Sequence, residues 1–387
     1  VKAARIFIST GEVSGDLQGA LLVEALKRQA QAVEIMALGG TRMAEAGARL
    51  LANTSGIGSV GLWESVPFLL PTLRIQQQVK QFLREQPPDL VVLIDYMGPN
   101  LGIGSFLRRH FPQIPIVYYI APQAWVWSLS PKDTERIVKV TDRLLAIFPA
   151  EARYFEQHGA QVRWVGHPLI DRIGRFPSRT EARMRLGIDD QQQAIALIPA
   201  SRRQELKYLM PPIFKAAQQL QAQLPNAHFW IPLSLERYRP AIEKAIAQFQ
   251  LKATLVAQQT PEVLAAADLA ITKSGTVNLE LALLNVPQVV LYRVSPLTYW
   301  IGKRVFNFSI PFMSPPNLVQ MQAIVPEFLQ EQATPEAIFT SALDLLQNPQ
   351  SREAMQAGYH QMRQALGEPG VCDRAAQEIL QLIEGDR

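Results

Sequence analysis

Lys273-Ser274-Gly275-Thr276, followed by Glu280, brings a cation, two hydroxyls, a glycine and a carboxylate into one short stretch. The apolar run Leu269–Thr272 before it reads as a strand, so the polar group occupies the turn into a helix. A helix start carries unpaired N–H groups and partial positive charge, which suits a phosphate. Ser274 or Thr276 can cap and donate, Gly275 lets the backbone approach closely, and Lys273 adds a full charge. Glu280, about one turn further in, is placed to accept from ribose hydroxyls. The outline is a nucleoside-diphosphate site, although Ser-Gly-Thr is also an ordinary helix start.

Four more loops carry candidate chemistry. Ser9-Thr10-Gly11-Glu12-Val13-Ser14-Gly15-Asp16 has two glycines and two carboxylates, Glu12 and Asp16, without the Gly-x-Gly-x-x-Gly dinucleotide spacing. Carboxylates there repel a pyrophosphate and suit sugar hydroxyls; capping of the next helix by Asp16 is the alternative. Asp95 ends an apolar strand, where a carboxylate can act as a general base, with Asn100 close behind. Either could instead cap the next helix. Gln123, Trp125 and Trp127 follow another strand and make a platform for a sugar or acyl chain, or simply core. Arg202, after Ile198-Pro199-Ala200-Ser201, can grip a phosphate with its planar fork. Two phosphate-seeking loops in one sheet suit a sugar-nucleotide donor, because fixed donors stabilise a departing diphosphate without a metal.

Parallel strands must position these loops. Apolar runs at Arg5–Ser9, Ala32–Leu38, Leu90–Asp95, Ile116–Ile120 and Arg143–Ile147 alternate with helical stretches. After a pause at 166–178 the series restarts with Ala194–Pro199, a helix over Leu206–Gln223, Ala227–Pro232, Thr254–Ala257, Leu269–Thr272 and Val286–Leu291. The fold class is therefore α/β, with two doubly wound domains facing across a cleft: 1–170, 171–345, and a helical tail over 346–387 that packs across the domains or onto a partner subunit.

Of the 387 residues 48% are hydrophobic and 19% charged, which argues against disorder. A net charge of +4 is too diffuse for a nucleic-acid partner but compatible with anionic substrates or an anionic membrane face. The single cysteine, Cys372, suits a reducing cytoplasm, and five scattered histidines give no metal-ligand spacing. Val1–Ser9 reads as a strand, not a signal peptide, and no apolar run reaches transmembrane length. Gly61–Arg74 is apolar and tipped with arginine, and no acidic residue lies between Glu280 and Glu327 while aromatics and Arg293, Lys303 and Arg304 do. Both tracts fit the headgroup level of a membrane, an acyl-chain pocket, or an oligomer interface such as that of a homodimer.

Taken in order, these pieces resemble the lipid-A-disaccharide synthase family. They are Gly11-Glu12-Val13-Ser14-Gly15-Asp16, Ile94-Asp95 with Asn100, Pro122-Gln123-Ala124-Trp125-Val126-Trp127, Phe148-Pro149, Gly166-His167-Pro168-Leu169, Ile198-Pro199-Ala200-Ser201-Arg202, Lys273-Ser274-Gly275-Thr276 with Glu280, and Pro316-Asn317-Leu318. The resemblance implies an inverting glycosyltransferase of the GT-B architecture that moves a sugar from UDP-2,3-diacylglucosamine to 2,3-diacylglucosamine 1-phosphate. It implies UDP near Arg202, Lys273, Ser274, Gly275, Thr276 and Glu280; with Gly98 where the family usually has a second carboxylate, Asp95 assisted by Glu12 or Asp16 is the best remaining base. Gly11, Ser14, Gly15, Asn100, Gln123, Trp125 and Asn317 would meet the acceptor. No metal or cofactor is implied, and the expected location is the cytoplasmic face of the inner membrane, held peripherally. Three positions depart from the family pattern: Gly98 stands where a second carboxylate is usual, Ala200 replaces a glycine, and Thr10 replaces an alanine. Related chemistry (a UDP-sugar 2-epimerase or a glycosyltransferase for polyprenyl-linked acceptors) and a silent UDP- or lipid-binding protein are the alternatives.

Overall fold

Leu90-Val91-Val92-Leu93-Ile94 is apolar at every position, and all five residues are buried. Such a run needs cover on both faces, which helices flanking a parallel sheet provide. In the computed structural model it is β4 of a seven-stranded parallel sheet. That sheet comprises β1 (Ala4–Ser9), β2 (Val33–Gly39), β3 (Arg49–Asn53), β4 (Leu90–Ile94), β5 (Ile116–Tyr119), β6 (Arg143–Ala146) and β7 (Val162–Trp164), in the order 3-2-1-4-5-6-7. The structure describes residues 3–11, 13–54, 62–126, 130, 132–296, 299–300, 304 and 311–385, with the backbone alone for 62–69 and 203.

The second sheet repeats the plan with six parallel strands. They are β8 (Gln193–Ile198), β9 (Ala227–Leu233), β10 (Ala253–Ala257), β11 (Leu269–Lys273), β12 (Gln288–Tyr292) and β13 (Glu327–Leu329), ordered 10-9-8-11-12-13. In each sheet the order reverses beside its first strand, between β1 and β4 and between β8 and β11. Ligands of doubly wound sheets sit outside the carboxyl ends of the strands at that reversal.

Each sheet belongs to its own unit: Val1–Asp171 with Leu366–Arg387, and Arg172–Ala365. Residues 346–387 are therefore not one tail. Positions 346–365 belong to the second unit and 366–387 to the first. The helix Val371–Gly385 packs on the helix Val13–Gln29, where Arg28 Nη2 meets Asp373 at 2.7 Å. Asp171 starts that last helix by accepting from the N–H groups of Gly370 (2.6 Å) and Cys372 (2.8 Å).

Two differences from the sequence reading have clear causes. The helix expected over Leu206–Gln223 is two helices, Arg203–Tyr208 and Met210–Gln223. Pro211 and Pro212 cannot donate to a continuing ladder, and they sit at the second helix's first turn, where no partner is needed. β3, β7 and β13 were unexpected, being strands at or near sheet edges without a continuous apolar run.

Candidate active site

At the reversal of the first sheet, Ser9 lies across from Leu93, so the turns after β1 and β4 leave side by side. Asn100, completely buried, ties them together. Its Nδ2 donates to the carbonyls of Ser9 (3.3 Å), Ile94 (3.1 Å) and Asp95 (2.8 Å), and its Oδ1 accepts from Ser9 Oγ (2.7 Å). That allocation makes Asn100 a staple between strand ends.

Asp95 follows β4 with φ 46°, and Tyr96 also has φ 46°. Two successive non-glycine residues in the left-handed region carry backbone strain that the surroundings must hold. Besides Asn100, Tyr118 Oη donates to the Asp95 carbonyl (2.8 Å), and the Asp95 N–H donates to the Ile120 carbonyl (3.0 Å). Ile120 is itself left-handed, φ 60°. A strained, partly exposed carboxylate at a switch point is where a base for chemistry would be mounted. Burial, reinforced by the Asp95 charge, pushes the Tyr118 phenol well up, so Tyr118 stays a donor. Gly11 is required by the same corner, because a Cβ there would overlap the Tyr96 ring.

The other expectations for this loop divide. Asp16 is buried and accepts from the N–H groups of Gly40 (2.7 Å), Met43 (3.1 Å) and Arg42 (3.2 Å). Its carboxylate binds the start of the short helix Thr41–Glu45, not of the helix Val13–Gln29 in whose first turn it stands. Glu12, with Trp127 beside the aromatic loop, lies outside the described residues. Gly15 is buried against Thr10, and Ser14 is partly exposed. Gln123 is exposed, and the Trp125 ring packs 5.8 Å from Phe148.

At the reversal of the second sheet, Ile198 pairs with Thr272, bringing Ser201-Arg202 and Lys273-Ser274 off adjacent strand ends. Glu205 joins them. It accepts from the Ser201 N–H (2.5 Å) and the Arg202 N–H (2.9 Å), while Arg202 Nη1 stands 3.8 Å and Lys273 Nζ 3.7 Å from its other oxygen. The two cations expected to seek phosphate are thus side by side and share a carboxylate. Burial raises the Tyr292 phenol, which stands within electrostatic reach of Arg202 and Glu205.

Ser274 is not a free capping hydroxyl, since its Oγ donates to the Met313 carbonyl (2.6 Å). Thr276 is the N-cap of the helix Val277–Leu283 without a side-chain cap bond. Asn278 holds the turn instead, accepting from Gly275 N–H (2.7 Å) and donating to the Lys273 carbonyl (3.3 Å). Glu280 is buried and pairs with Arg172, so a ribose here would share it. Asn317 is completely buried and takes up its amide on Ile324, Val325 and Glu327, which makes it a loop staple.

Glu151, Glu205, Asn278 and Glu327 were missed by sequence reasoning. Glu151 and Glu205 each stand in the first turn of a helix, a signal of capping, which is how their carboxylates begin. Among the described residues, no group of three or more His, Cys, Asp or Glu could hold a metal ion, and no helix is long and apolar enough to cross a membrane.

The fold resembles that of the S. aureus MnaA-UDP co-structure, with TM-score 0.65 and 16% identity over 98% of both chains. It also resembles Acinetobacter baumannii MurG, with TM-score 0.58 and 14% identity over 98% of this chain and 100% of that one. At the level of sequence the likeness is much higher. The chain is 58% identical to a lipid-A-disaccharide synthase of Gloeothece citriformis, over 98% of this chain and 100% of the relative. It is 35% identical to one of Geobacter sulfurreducens, over 98% and 97%. The profile of the family described as lipid-A-disaccharide synthetase matches residues 6–382, and to that family the chain belongs.

Proposed function

We propose that this chain transfers 2,3-diacylglucosamine from UDP to the 6-hydroxyl of 2,3-diacylglucosamine 1-phosphate, giving a β-1,6-linked disaccharide phosphate and UDP. One observation carries the reading. Membership of the family coincides with a strained carboxylate at one switch point and a paired cation site at the other. Asp95 takes the proton of the acceptor hydroxyl as its oxygen attacks the anomeric carbon from the side opposite UDP. The bond from that carbon to the UDP oxygen breaks, its electron pair leaves with UDP, and the configuration inverts. Arg202 and Lys273 exchange part of their attraction to Glu205 for the diphosphate and stabilise the charge that develops there. With two cations in that role, the reaction is read as needing no metal.

The acyl chains call for a lipid surface. The helix Leu62–Glu85 presents Leu70 and Leu73, 67% and 58% exposed, beside Arg74, which supports peripheral binding to the inner face of the cytoplasmic membrane. The deciding experiment measures UDP release from UDP-2,3-diacylglucosamine in EDTA, with and without the monosaccharide 1-phosphate, and identifies the lipid by mass. Acceptor-dependent release with a tetraacyl disaccharide phosphate is expected. Release of a free or epimerised sugar without acceptor would indicate an epimerase, and UDP binding without release a silent binder.

A further inference from the structure

Glu151 lies at the carboxyl end of the first sheet and has no part in the mechanism above. It is 1% exposed, and its three described partners are main-chain N–H groups: Ala121 (3.0 Å) on Oε1, and Ile147 (2.8 Å) and Phe148 (3.2 Å) on Oε2. One carboxylate thereby binds the turn after β5 to the turn after β6. The residue before Ala121 is Ile120, a β-branched side chain at φ 60°. Its carbonyl accepts the Asp95 N–H (3.0 Å), and Asp95 is left-handed too. A continuous path runs from the Glu151 carboxylate, through the Ala121 amide and the Ile120 peptide, to the backbone of the candidate base.

We propose that Glu151 is a positioning residue for Asp95, its ionised carboxylate holding the left-handed Ile120–Ala121 turn that fixes the backbone from which Asp95 projects. Protonated, the group becomes a donor at one oxygen and cannot accept on every side, so the Ala121 end or the Ile147–Phe148 end lets go. Burial pushes this carboxyl up to about 7, so the change falls in the neutral range. Asp95 faces the junction from the end of β4, and its negative charge adds to that rise. Tyr118 and Tyr119 face it from β5, both kept protonated by burial. His167 packs against Phe148 with ring centroids 5.3 Å apart and is kept neutral, lowered by burial to about 3. The Cys372 thiol, which interacts with Tyr119, is likewise kept protonated by burial, so among Tyr118, Tyr119, His167, Cys372 and Glu151 it is Glu151 that changes charge near neutrality.

The proposal rests on the transferase reading for its kinetic consequence but not for its structural one, so the test reads both. Wild type and Glu151→Gln are compared by hydrogen exchange, using mass spectrometry of peptides spanning 93–97 and 119–123, and by acceptor-dependent UDP release between pH 5.5 and 9. In Glu151→Gln, exchange corrected for intrinsic rate is expected to rise about tenfold in both peptides, the equivalent of one lost hydrogen bond. Wild type is expected to show the same rise as pH falls through about 7. Turnover of wild type should fall on that acid limb. Glu151→Gln should be slow with the limb gone, and UDP affinity should be unchanged.

Wild-type exchange and an intact limb in a folded Glu151→Gln overturn the proposal. Exchange that responds as expected in a wild type without turnover leaves the positioning role standing and sinks the transferase reading. If Glu151→Gln does not fold, Ile120→Gly decides. Glycine takes positive φ without the Cβ penalty, so the turn should survive protonation of Glu151. The exchange transition should then weaken and move to lower pH. An unaltered transition in Ile120→Gly overturns the proposal.

Discussion

At the scale of single residues, side-chain type foretold location better than it foretold partnership. Asp95, Arg202 and Lys273 each lie at a switch point, as expected of charged residues that end apolar strands. Asp16, Asn100 and Asn317 looked the same in sequence, as polar residues in Gly- or Pro-containing loops, yet each is taken up mostly by main-chain groups. A sequence does not record which donor a buried oxygen will face, because the fold brings Gly40, Arg42 and Met43 to Asp16 and Ile324 and Val325 to Asn317. Replacing Asp95 with Asn keeps the size and removes the proton acceptor. Turnover is expected to drop by about 10²–10⁴ with little change in KM for the donor, measured by steady-state UDP release. Gly98, where the family usually has a carboxylate, lies in the first turn of the helix Met97–His110, and a Cβ there would meet nothing within 4 Å. Gly98→Asp should therefore fold, and its thermal midpoint should not fall, since an acid near a helix start contributes about 0.3–1 kcal/mol.

Among the elements, central strands were legible because five-residue apolar runs leave little choice, whereas β3 and β7, partly exposed at their edges, carry no such run. The turns were less legible still, since three left-handed non-glycine residues, Asp95, Tyr96 and Ile120, break the local preference of their types. What overrides the preference is the hydrogen bonding assembled around the ends of β1, β4 and β5. Asn100→Ala would strand the carbonyls that its amide now serves. A loss of about 1–3 kcal/mol per unsatisfied group is expected, seen as a lower urea midpoint for the first unit's transition. An unchanged midpoint would mean that the strand ends hold without the staple.

For the molecule as a whole, the repeated βα pattern was enough to foretell two parallel sheets, while the composition of the last segment did not tell which unit it completes. Val371, Ala375, Ala376, Ile379 and Ile383 are buried on the last helix, and its charges meet Arg28, Arg143 and Arg163 of the first unit. Each buried Val or Ile contributes about 1.5–3 kcal/mol. A chain ended before Leu366 should consequently lose the cooperative transition of the first unit and keep that of the second, which calorimetry resolves. Association with lipid is tested at this scale as well. Leu70→Asp with Leu73→Asp should reduce flotation with anionic vesicles while leaving UDP binding intact, because both side chains point to solvent.

The return of residues 366–387 to the first unit also sets an order of events during synthesis. A ribosome releases the first sheet before the second, but the helix Val371–Gly385 that packs on the first unit's helix Val13–Gln29 follows both. The second unit, continuous in sequence, is complete while the first still waits with its helix Val13–Gln29 uncovered. Of the two units, the one that emerges earlier is thus the one completed later, and until residues 366–387 follow, its exposed face is the one a chaperone would have to guard.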